Sequence, residues 1–130
     1  MKKAIVIIIF LSIFSSGWGC NAPTFENLLD AIEQVESGGK NAVGDGGKAF
    51  GAYQIHKIYV DDVNRISKKN YSYADRNCKK KSREMVTIYL KHYGKGKSLI
   101  DMARIHNGGP RGHKKKCTVK YGEKVKKALR

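Results

Sequence analysis

Among the residues able to do chemistry in this sequence, Glu36 stands out for acid catalysis. Phe25, Leu28, Leu29, Ile32 and Val35 recur at helical spacing, and winding them at about 100° per residue puts Glu36 inside their apolar stripe. A carboxyl group on a buried face is costly to ionise, so it finds a cationic partner or keeps its proton to higher pH. A retained proton can be donated. Glu36 also stands at the end of its helix, where a carboxylate can escape to solvent, and helix geometry alone leaves the two readings open. Glu33 sits on the edge of the stripe, while Glu26 and Asp30 lie toward the solvent side, and all three read as surface acids.

Three further carboxylates follow. Asp45 lies in a glycine-rich stretch, where Asp-Gly is also a common turn pair. Asp61 and Asp62 fall early in the next helix, where a carboxylate near the positive end of the dipole has a purely structural use. A zinc site built from Cys78, Cys117, His106 and His113 is not expected, because the spacing matches no ligand motif, and no metal or cofactor is called for.

Helices must position these groups. The first runs from Phe25 to Ser37 with Thr24 as N-cap, and Gly38-Gly39 ends it. The stretch from there to Gly51 holds Asn41, Gly44, Asp45, Gly46 and Gly47, a long turn or short irregular hairpin and the place for any strand. Further helices are marked by Ile58, Tyr59, Val63 and Ile66, by Met85, Val86, Tyr89 and Leu90, and by Leu99, Met102 and Ala103. Asn107-Gly108-Gly109-Pro110 stops the last of these, and a final helix spans about Thr118 to Leu129. The expected fold is mainly α, with one small β-hairpin region.

Met1-Lys2-Lys3, an apolar run from Ala4 to Phe14 and a small polar stretch have the layout of a secretory signal peptide, expected over residues 1–20. The apolar run is shorter than the roughly 18 residues a bilayer-spanning helix needs. Gly17-Trp18-Gly19 lacks the aliphatic residue expected upstream of a lipid-modified Cys20. Residues 21–130 then form one domain, without internal repeat or linker. Loss of Cys20 leaves Cys78 and Cys117 as an even pair in an oxidising compartment, and a disulfide between them is expected. The full chain carries a net charge of +15, which points to a polyanionic partner. Charge alone does not choose among a cell wall, a membrane surface and nucleic acid, and part of it serves only solubility.

The run Glu36-Ser37-Gly38-Gly39, then Asn41 to Gly47, then Phe50-Gly51-Ala52-Tyr53-Gln54-Ile55 resembles the catalytic core of the lysozyme and lytic transglycosylase superfamily, with the last segment read as a strand. A second stretch, Ala103 to Gly112 followed by Tyr121 and Val125, is similar to the invertebrate-type lysozymes. The resemblance spans roughly Leu28 to Leu129. One departure is large: those proteins are typically cysteine-rich.

The resemblance implies a secreted, monomeric enzyme that cleaves the β-1,4 bond between N-acetylmuramic acid and N-acetylglucosamine in bacterial peptidoglycan. No specific nucleic-acid partner and no lasting membrane insertion are expected. Glu36 would be the general acid, and Asp45 the nucleophile or electrostatic stabiliser. Tyr53, Gln54, His106, Asn107, Gly108 and Tyr121 would contact the sugar. Read alone, Tyr53 and Tyr121 suit a core, and Asn107-Gly108 a helix stop. Two other readings stay open: a lytic transglycosylase using Glu36 without Asp45, and a non-enzymatic cationic wall or membrane binder working through Lys79 to Lys81 and Lys114 to Lys116. An isopeptidase activity, attributed to some invertebrate-type relatives, finds no clear Ser-His pairing.

Overall fold

The computed structural model describes residues 21–129, so the expected signal segment and Cys20 lie outside the described residues. Among the described residues there are five α-helices: α1 (Phe25–Ser37), α2 (Lys57–Ser67), α3 (Lys79–Tyr93), α4 (Leu99–Gly108) and α5 (Val119–Ala128). Between α1 and α2 lies a two-stranded antiparallel sheet, β1 (Val43–Gly44) and β2 (Ala49–Phe50), with Val43 opposite Phe50 and Gly44 opposite Ala49. This is the expected α-rich fold with its small hairpin. None of the described helices is long and apolar enough to cross a membrane.

Each end of α1 has a local cause. Thr24 and Asn27 form a reciprocal cap: the Asn27 N–H donates to Thr24 Oγ1 at 3.2 Å, and the Thr24 N–H to Asn27 Oδ1 at 2.8 Å. Gly38 closes the helix at φ 63°, the left-handed region that glycine enters without strain. The stripe then buries Leu28, Leu29 and Ile32 against Val60 and Val63 of α2, Met85, Val86 and Leu90 of α3, Ile105 of α4 and Val125 of α5 in one core. Each such side chain contributes about 1.5–3 kcal/mol by leaving water. In the packing order, α1 lies on α5, α5 on α4, and α3 on both α2 and α4.

Three expectations need correction. The Tyr53-Gln54 segment is not a strand: residues 51–54 turn, and a single bridge joins Phe50 to Ile55. Gly51 and Gln54 take φ of 80° and 50°, a reversal that extended pairing does not accommodate. Glu33 is not a surface acid but is buried, at 7% exposure. Cys78 and Cys117 form no disulfide; both thiols are free and exposed, one at the N-cap of α3, the other in the 3-10 turn that packs on α4 and α5. An even cysteine count suggests a bond, but pairing requires Cα atoms within about 7 Å, which sequence parity does not supply.

Candidate active site

Glu36 lies in the last turn of α1, and the next residue ties that turn to the rest of the site. The Ser37 hydroxyl donates to the Ala52 carbonyl at 2.8 Å, joining the end of α1 to the turn after β2. Only 17% of the Glu36 side chain is exposed. Its Oε1 accepts a hydrogen bond from the Tyr121 hydroxyl at 2.7 Å and lies 3.5 Å from His106 Nε2. The acid on the stripe is therefore mostly buried, the one of the two readings left open by helix geometry that the fold adopts, and it is held by Tyr121 of α5 with His106 of α4 beside it.

Asp45 occupies different ground. It begins a 3-10 turn between β1 and β2 at φ 50°, a left-handed conformation that Asp tolerates better than most residues. Its side chain is 62% exposed, with Oδ2 at 3.2 Å from Nε2 of His56, the residue that opens α2. The loop behind it is braced. Gln54 Nε2 donates to the Ala42 and Gly51 carbonyls at 3.0 and 2.9 Å, and Asn41 Nδ2 to the Asn77 carbonyl at 2.6 Å. Buried Arg76 stacks on Phe50, 4.3 Å from the ring centre, and donates to the carbonyls of Lys48, Ile55 and Tyr73. Gly51 permits this approach, since a Cβ there would come within 1.8 Å of the Arg76 carbonyl.

Glu36 and Asp45 line the same cleft, about 1040 Å3 in volume, together with Gln54, His106 and Asn107. Of the other residues expected at a sugar site, Tyr121 stands behind Glu36 as a hydrogen-bond donor. Gly108 is packed so closely on Thr118 that a Cβ would meet its methyl at 2.5 Å. Tyr53 is fully buried, its hydroxyl donating to Glu33 Oε2 at 3.2 Å and accepting from Arg83 at 3.0 Å. Its backbone still serves the site, because the Tyr53 carbonyl lies 3.2 Å from His106 Nε2.

Asp61 and Asp62 also line the cleft, already engaged: Asp61 accepts from the Tyr73 hydroxyl at 2.9 Å, and Asp62 from Tyr93 at 2.6 Å and from Arg65. Sequence reasoning missed His56, Ile58, Tyr59 and Arg65, which complete the wall formed by α2. The signal for His56 was its place immediately after the turn and before the periodic helix. Among the described residues, no three His, Cys, Asp or Glu side chains gather in a way that could hold a metal ion.

Comparison with known proteins bears on this arrangement. No family model matches the chain. It is 31% identical over 128 residues to a lysozyme of Magallana gigas, with 92% of this chain and 88% of that protein covered. It is 33% identical over 108 residues to an invertebrate-type lysozyme of Ruditapes philippinarum, covering 78% of this chain and 79% of the relative. The chain belongs to the invertebrate-type lysozyme family. Solved structures agree: a Meretrix lusoria lysozyme, determined bound to an inhibitor and in complex with Aeromonas hydrophila PliI, superposes with a TM-score of 0.68 at 33% identity, over 78% of this chain and 88% of that one. The protein is thus a glycoside hydrolase with a lysozyme fold, and Glu36, Asp45, Asp61 and Asp62 line the cleft between α1, the hairpin and α2.

Proposed function

We propose that this lysozyme hydrolyses the β-1,4 bond between N-acetylmuramic acid and N-acetylglucosamine of bacterial peptidoglycan, with Glu36 as general acid and Asp45 as its ionised partner. The observation that carries this reading is the contrast between two carboxyls on one cleft: Glu36 only 17% exposed among Tyr121 and His106, Asp45 62% exposed on a glycine-rich turn. Glycoside cleavage needs such unlike environments, because one group must give a proton while the other stays charged. Glu36 protonates the leaving oxygen. Asp45 stabilises or attacks the positive charge developing at the sugar, and Glu36, now a carboxylate, takes a proton from the water that completes hydrolysis. Asn107 offers its amide and Gln54 its amide oxygen to the sugar, and Ile58 and Pro110 an apolar floor.

In this reading the enzyme acts outside the cell, as a monomer freed of residues 1–20, and its positive charge draws it to the anionic wall. A turbidity assay on purified peptidoglycan, comparing the parent with Glu36→Gln, tests it directly. The variant should clear the suspension more slowly by a factor of a hundred or more on the order expected for loss of an acid catalyst. Mass spectrometry of the parent's products should show reducing ends. Full clearing by Glu36→Gln would sink the assignment, and anhydromuropeptide products would make the enzyme a transglycosylase.

A further inference from the structure

The two oxygens of Glu36 are not equivalent. Oε1 has the Tyr121 hydroxyl at 2.7 Å and His106 Nε2 at 3.5 Å, and among the described residues no polar partner is recorded for Oε2. The protonation of His106 follows from its other contacts. Its Nε2 lies 3.2 Å from the Tyr53 carbonyl, which can only accept, so Nε2 carries a hydrogen. Nδ1 lies 3.2 Å from the Tyr59 hydroxyl, which donates to it when the ring is neutral. Burial first, and then the charge of Glu36 among other contributors, push Tyr59 and Tyr121 well above the usual phenol range, so both remain hydroxyls.

A hydrogen on Oε1 would therefore compete with the Tyr121 hydroxyl, and His106, whose Nε2–H is given to the Tyr53 carbonyl and whose Nδ1 is met by Tyr59, offers it no acceptor. On the acid role proposed above for Glu36, we infer that the proton delivered to the glycosidic oxygen sits on Oε2, and that Tyr121 is the positioning residue that keeps Oε1 an acceptor, with His106 packed beside it. Tyr121 is the main anchor, since a 3.5 Å contact is long for a hydrogen bond. As the proton leaves, the new carboxylate is met by a donor already in place, and a hydrogen bond to a charged acceptor is stronger than one to a neutral acid. The same arrangement presents Oε2 to the water whose proton it later removes. Tyr121 from α5, His106 from α4 and Tyr59 from α2 face Glu36; on its own helix Glu33 turns to Lys79 and Tyr53 instead, and Asp45 stands in the cleft. His106, with 4% of its side chain exposed and both ring nitrogens engaged by protein, is poorly disposed to bind sugar.

The test compares Tyr121→Phe, His106→Gln and Glu36→Gln on two soluble substrates: a chitooligosaccharide, whose alkoxide leaving group needs protonation, and an aryl glycoside, whose phenolate does not. Tyr121→Phe should lower kcat on the oligosaccharide by roughly 10- to 100-fold with KM within about twofold, and lose under about threefold on the aryl glycoside. The alkaline limb of its kcat/KM profile should move to higher pH, because a donor favouring the carboxylate is gone. His106→Gln leaves the Tyr121 donor in place and should lose less. A rise in KM with kcat intact would make Tyr121 a substrate contact, and equal losses on both substrates would make it structural; either result, or full activity, overturns the inference. Glu36→Gln separates the two proposals. If it stays active on the oligosaccharide, the acid assignment itself fails; if it is inactive while Tyr121→Phe is unimpaired, only the positioning role fails.

Discussion

Glu33 and Glu36 lie three residues apart on one helix, and the more deeply buried of the two is the one that does not line the cleft. Three residues turn a helix by about 300°, so the two carboxyls point some 60° apart. That difference sends Glu33 to Lys79 and the Tyr53 hydroxyl, and Glu36 to the cleft wall. Burial alone would have picked the acid that does not line the cleft. Glu33→Gln should cost about 1–3 kcal/mol of stability, the range for a buried hydrogen-bonded group losing a charged partner, while turnover per folded molecule stays near the parent's. Urea unfolding and active-site-normalised rates check this. An unchanged midpoint, or a loss of turnover matching Glu36→Gln, would contradict it.

Asp45 is the cleft carboxylate whose recorded side-chain partner is a single histidine, His56 at 3.2 Å, whereas Asp62 is shared between Tyr93 and Arg65. Asp45→Asn should therefore reduce hydrolysis by about a hundredfold or more, while the same change at Asp61 has a much smaller effect. Rates on purified walls with product mass spectrometry decide it. Full activity in Asp45→Asn with anhydro-sugar products would remove Asp45 from the mechanism.

Much of this arrangement was legible beforehand, and the reasons are local. The bounds of α1 follow from Thr24, the apolar spacing and Gly38, all within one stretch of chain. Asp45 and the hairpin follow from a cluster of glycines whose positive φ angles a turn requires. What failed depended on contacts distant in sequence. Tyr53 was expected at the sugar, but its hydroxyl is claimed by Glu33, 20 residues back, and Arg83, 30 residues on. Glu33 sat on the edge of the stripe, and only the arrival of Lys79 and Tyr53 makes its burial tolerable. The role of Tyr121 rests on a contact 85 residues long in sequence, which no periodicity on either helix encodes.

Alkaline pH should unfold this protein through its tyrosines. Burial pushes Tyr53 up to about 12, and it likewise raises Tyr59, Tyr89 and Tyr121 above the ordinary value. An unfolded tyrosine titrates near 10, so above that pH the unfolded chain releases protons that the folded chain retains. The contribution of these groups is complete below about pH 10 and falls as pH rises toward 12 and beyond. Denaturant midpoints should decline over that window, and phenolate absorbance should lag until unfolding. A tyrosine titration centred near the ordinary value, with the fold intact, would refute the buried hydroxyl network.

The final prediction concerns salt. Between Arg111 and Lys127 the chain carries eight exposed lysines and arginines against one acid, Glu123, and among the described residues no ion pair joins any of them to a carboxylate. Near α3, by contrast, Lys79, Lys81 and Arg83 are all paired with acids. The segment's free charge begins next to Asn107, Gly109 and Pro110 at the cleft edge. Its attraction to an anionic wall acts at long range, and raising salt from 0.1 M to 1 M shortens that range from about 10 Å to about 3 Å. Clearing of whole walls should therefore fall steeply with salt, while cleavage of a neutral oligosaccharide changes little. Replacing Lys114, Lys116 and Lys120 with Gln should flatten the first dependence and leave the second alone. If Glu36→Gln lysed cells as well as the parent and salt abolished both, charge rather than bond cleavage would be the lytic agent; binding to walls by Glu36→Gln without clearing them separates attraction from chemistry.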